Sequence, residues 1–104
     1  MDKQIERIED MEEALDASKA AIEKLSEALS EYESVQDRFD ALLDYFGNGQ
    51  WRDDFEADEE GLLPDGLKRG VLSEDAVYDL ITDNHDLAVR MLKVITAALE
   101  NHAI

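Results

Sequence analysis

The sequence has no cysteine and one proline, and its Lys and Arg residues are outnumbered by Asp and Glu, 10 to 27. Without cysteine, disulfides, thiol nucleophiles and thiolate metal sites are excluded. The shortage of cations leaves a net charge of −17. Nucleic acid and anionic membrane surfaces are bound through clustered Lys and Arg, so neither is expected as a direct partner. No apolar run approaches the roughly 18 residues that a membrane span requires. The opening Met1-Asp2-Lys3-Gln4-Ile5-Glu6 also lacks the charged-then-apolar pattern of a secretion signal. A cytoplasmic location is expected.

Glycine is scarce and confined. All five glycines (Gly47, Gly49, Gly61, Gly66 and Gly70), Pro64 and the single tryptophan, Trp51, lie between residues 47 and 72. The flanks contain neither glycine nor proline, the two strongest breakers of regular structure. A length of 104 residues and an apolar content of 44% fit one folded domain.

Both flanks repeat apolar residues at alternating spacings of three and four. In the first, the series is Ile8, Met11, Leu15, Ser18, Ile22, Leu25, Leu29, Tyr32, Gln36, Phe39, Leu43 and Phe46. In the second it is Val77, Leu80, Asn84, Leu87, Met91, Val94, Ala98 and Asn101. A repeat sustained this long matches a coiled-coil seam. Ser73 suits an N-cap, with Glu74 and Asp75 at the positive end of the helix dipole. The spacing predicts a single all-α domain over 1–104: helix 4–46, connector 47–72 and helix 73–102. The expected architecture is a long antiparallel helical hairpin, coiled-coil-like, with a folded connector that contains a short helix, dimerising into a bundle.

At 1.5 Å per residue the first helix spans about 65 Å and the second about 43 Å. Pairing Phe46 with Val77 leaves Ile8, Met11 and Leu15 without a partner in the same chain, which marks them as a candidate dimer seam. A bend near Ser18 is the alternative. Gln36 and Asn84 interrupt the seams about a turn apart, which suits either a mutual hydrogen bond or two solvent-lapped edges.

A connector of this length should carry structure or function. Trp51 and Phe55, four apart, share one face of a short helix from about 50 to 60, closed by Gly61. Leu62-Leu63-Pro64-Asp65-Gly66 then reads as a turn. Lys68 and Arg69 are adjacent cations in an acidic chain. They either neutralise carboxylates of the connector or join Trp51, Arg52 and Phe55 in a partner-binding patch, since tryptophan and arginine anchor interfaces.

The run Trp51-Arg52-Asp53-Asp54-Phe55-Glu56-Ala57-Asp58, followed by Leu63 through Leu80, resembles an uncharacterised bacterial family, domain of unknown function 4298. The segment Lys68 to Tyr78 carries the most specific part of the likeness. The resemblance implies a small, mainly helical protein and brings no activity with it.

Site chemistry is weak elsewhere. An EF-hand register from Asp54 fails at its sixth position, where Glu59 replaces the glycine of the sharp turn. Glu9, Glu12, Glu13 and Asp16, and likewise Asp79, Asp83 and Asp86, have the spacing of magnesium-holding carboxylates, but they flank apolar seams and mostly point outward. His85 and His102 stand apart, with no arrangement of a nucleophile and base around them. No catalytic residue, cofactor or metal ligand is assigned. The expected role is a non-enzymatic interaction or structural module: a homodimer that meets a protein partner with a basic surface. The alternatives are an acidic antagonist of a nucleic-acid-binding protein and a magnesium-dependent all-α nucleotide hydrolase.

Overall fold

A computed structural model describes residues 1–102 of the chain. Among these residues the regular structure is entirely helical: α1 (Asp2–Ser34), α2 (Gln36–Gly47), α3 (Gln50–Glu59), a 3-10 turn (Gly70–Leu72) and α4 (Glu74–Asn101). The chain adopts the all-α class that its apolar spacing predicts. Contacts group it into two compact units, the first Met1–Asn48 and the second beginning at Gly49.

The first unit consists of α1 and α2. Helix α1 passes through Ser18 without interruption, and the break falls instead at Val35, which has φ −101° and ψ 1°. Two side chains adjoin the break. The Ser34 hydroxyl donates to the carbonyl of Glu31 at 2.7 Å. The Gln36 side-chain amide donates to the carbonyl of Tyr32 at 3.1 Å. A continuous helix would offer that carbonyl to the backbone N–H of Gln36. The Val35 N–H reaches the same oxygen at 3.3 Å, a tighter 3-10 type of closure. Side-chain donors that compete for the backbone ladder bend helices without glycine or proline. The expected helix 4–46 is therefore two helices that meet at Val35, and the Gln36 amide bonds to its own segment.

In the second unit the short helix of the connector is α3, entered from Gly49 in the left-handed region at φ +95°. Its end is set by Gly61, at φ +73°. The Gly61 N–H donates to the Asp58 carbonyl and the Leu62 N–H to the Ala57 carbonyl, each at 3.0 Å. This pair of bonds is the Schellman closure, which requires a left-handed residue at that position. A turn follows, with the Leu67 N–H on the Pro64 carbonyl at 3.2 Å. The Ser73 hydroxyl then accepts the Ala76 N–H at 3.3 Å and caps α4 as its sequence position predicts. The 3-10 turn packs against both α3 and α4. One apolar side chain from each of these three elements is buried: Trp51, Leu72 and Val77.

A Cβ added at Gly61 or at Gly66 meets open space, so the two positions differ only in backbone conformation. Gly61→Ala should destabilise the protein by about 1 kcal/mol, the cost of a left-handed alanine. Gly66→Ala, with no positive φ, should be neutral or stabilising by up to about 1 kcal/mol through the unfolded chain. Urea unfolding of the two variants side by side measures the contrast. Equal effects would mean that φ at Gly61 does not govern the closure.

Candidate functional site

Trp51 and Phe55 share a face of α3, as their spacing predicts. Their rings stack with centroids 5.1 Å apart and planes 17° from parallel. The Trp51 indole N–H donates to the Val71 carbonyl at 2.8 Å, which ties α3 to the 3-10 turn leading into α4. Trp51 is buried and Phe55 half-buried. A buried indole needs a partner for its N–H, and Val71 supplies it.

Arg69 has the most connections of the five expected patch residues. Its Nε donates to Asp58 Oδ1 at 2.6 Å, an ion pair between the loop and the last turn of α3. One terminal nitrogen donates to the carbonyls of Asp65, at 3.2 Å, and Leu67, at 3.0 Å. The other donates to those of Leu63, at 3.4 Å, and Pro64, at 2.5 Å. A guanidinium has five N–H donors in a planar fork, and here each has an acceptor within the chain. The carbonyls of the loop from Leu63 to Leu67 receive one backbone N–H, that of Leu67 on Pro64, so one side chain supplies the donors that a ladder would supply. Of the two readings of Lys68 and Arg69, the local one describes Arg69, whose guanidinium neutralises a carboxylate of the connector. Lys68 and Arg52 are exposed.

The acidic run that invites a calcium loop is mostly helix, because Asp53 through Glu59 lie within α3. A helical backbone does not wrap a cation with alternate residues. Among the described residues no group of three or more His, Asp or Glu side chains is placed to hold a metal ion. His85 and His102 are both exposed. The depression along α2 lined by Asp37, Arg38, Ala41, Leu42 and Tyr45 lies on one helix and encloses nothing.

An exposed apolar stripe runs along the first unit. Helix α1 has no buried residue. Ile8, Met11 and Leu15 are 54%, 60% and 60% exposed, and Ile22, Leu25 and Leu29 continue the same exposed stripe. At 100° per residue, Ala14, Ala21 and Ala28 border the stripe on one side, widening it beyond a two-residue seam. Glu6, Glu9, Asp10, Glu13, Asp16 and Glu23 point away from it by more than a right angle. Most of the acid of α1 is thus turned from its apolar face, while Glu12 borders it beside Ile8 and Leu15. Helix α4 has a second apolar stripe, which following one heptad register alone had passed over. Leu92, Ile95 and Leu99 are 68%, 57% and 73% exposed and lie about 120° around the helix from Leu87 and Val94. They fall within residues 87–99, where no Asp or Glu occurs.

Arg69→Lys retains a cation near Asp58 but loses the fork that reaches the four carbonyls. The expected loss is about 1–2 kcal/mol, the lower part of the range for charge-assisted bonds because both partners remain partly in water. The Trp51 fluorescence transition in urea should move to lower concentration. An unchanged midpoint would show that solvent replaces the guanidinium without cost.

Comparison with curated proteins and with solved structures returned no match. One family model matches residues 8–94, which takes in most of α1, the break at Val35, the Arg69 loop and most of α4. This chain belongs to the family described as domain of unknown function (DUF4298).

Proposed function

We propose that this protein is a non-enzymatic helical interaction module that assembles with a second copy of itself through the exposed stripe of α1. The supporting observation is that Ile8, Met11 and Leu15 are each more than half exposed on a helix with no buried residue. Apolar stripes of this length on soluble chains mark contact surfaces. The bordering alanines allow close helix approach, and the outward carboxylates keep like charges out of the contact itself. Ile8, Met11 and Leu15 are thus the assembly surface. Trp51, Phe55 and Arg69 organise the second unit, while Arg52 and Lys68 remain on its surface as contacts for a partner protein. The acidic outer faces suit a partner with a basic surface, whose association weakens as salt screens it.

Covering a half-exposed Leu or Ile contributes about 1 kcal/mol or more, and micromolar association represents about 8 kcal/mol net of the cost of association, so the contact has to take in the stripe well beyond three residues in both copies. Light scattering after size exclusion should give about twice the chain mass of 11.8 kDa at micromolar concentration. Leu15→Glu should return the mass to the monomer with helicity by circular dichroism unchanged, since Leu15 supports no core within its own unit. A wild-type mass near that of one chain across this range would overturn the proposal.

A further inference from the structure

We infer that the surface receiving α1 of one copy is the C-terminal half of α4 of the other, through Leu92, Ile95 and Leu99. The inference rests on the self-association proposed above and identifies the opposite side of the contact. Three observations converge on it. First, Ile8, Met11 and Leu15 and Leu92, Ile95 and Leu99 have the same i, i+3, i+7 spacing. Each set forms a stripe about 10 Å long at 1.5 Å per residue. Side chains of equal spacing on two helices interdigitate along their whole length.

Second, both stripes are exposed to a similar degree, with values between 54% and 73%. Leu92, Ile95 and Leu99 also add to a helix that already carries an apolar seam through Leu87, Met91 and Val94. A helix with two adjoining apolar stripes has more apolar surface than one neighbour covers, as bundle helices do.

Third, the charges select this pairing. Residues 87–99 contain Arg90 and Lys93 and no carboxylate. The segment from Asp2 to Asp16 has Lys3 and Arg7 against seven acidic residues. Laying α1 on α1 of the second copy would set two segments of net negative charge side by side, with helix axes about 8–10 Å apart and most carboxylates on the outer faces, where salt partly screens them. Laying it on the end of α4 sets that acid along a segment of net positive charge, with Arg90 and Lys93 on the side of α4 away from Leu92, Ile95 and Leu99. The occupant is therefore a second copy, joined reciprocally: each copy gives one α1 stripe and one α4 stripe.

The absence of cysteine makes the test clean, because each introduced thiol is the only one in its chain. Met11→Cys and Ile95→Cys variants, one enlarged by a tag, are mixed in equal amounts and oxidised. The expected dominant product is the mixed disulfide, which can form only between copies. Predominance of the Met11→Cys homodimer would overturn the α4 assignment while leaving self-association in place. A monomer with no cross-link of either kind would overturn both.

A second pair of variants tests the charge. Leu92→Glu should raise the dimer dissociation constant at least tenfold more than Leu92→Lys, because the opposing helix is acidic. Helicity by circular dichroism should be equal in the two. Equal losses for Glu and Lys would mean that α1 does not lie there.

Discussion

The second unit depends on one guanidinium. Between the Schellman closure at Gly61 and the 3-10 turn at Gly70, the chain has a proline, a turn and few backbone partners. Arg69 supplies what the missing ladder would have supplied, with donors to four carbonyls and to Asp58. Its planar fork gathers the loop onto the end of α3. With the loop so gathered, Val71 stands where the Trp51 indole can donate to it, and Leu72 and Val77 complete the small core. The αL glycine stops α3, the arginine folds the loop back, and the Ser73 cap starts α4.

The first unit has no comparable centre. Its side chains are exposed or at most half-buried, and α1 displays its heptad residues to solvent. A helix of 33 residues can persist on propensity and backbone bonding. An apolar stripe of this size, however, gains most of its stabilisation only when covered. The contrast divides the molecule by role. One unit is organised internally around Arg69 and Trp51, and the other exposes an apolar face with most of its carboxylates turned away. In the proposed reading, assembly belongs to that face, and the connector serves as framework with two exposed cations.

In the connector, local and non-local information differ. The Trp51–Phe55 stack, the glycine closure and the serine cap all followed from spacings of four residues or fewer, where helix geometry leaves little choice. The acceptors of Arg69 span Asp58 to Leu67, and no spacing rule identifies them. The break at Val35 was hidden for another reason. Ser34 and Gln36 are unremarkable helix residues, and only their side-chain rotamers divert the carbonyls of Glu31 and Tyr32 from the ladder. The second stripe on α4 was visible in principle, through the run without acid from 87 to 99. Following a single heptad register passed over it.

Sequence alone determined the all-α class, the position of the connector, its short helix and the cap of the last helix. Each depends on periodicity or on glycine, proline and serine chemistry acting within a turn or two of chain. Tertiary structure alone decided what the guanidinium of Arg69 holds, where the first helix breaks and which aromatic is buried. The indole and the guanidinium reach groups 20 and up to 11 residues away in sequence, and the break turns on which rotamers Ser34 and Gln36 adopt against carbonyls three and four residues back, a competition that only the folded arrangement resolves.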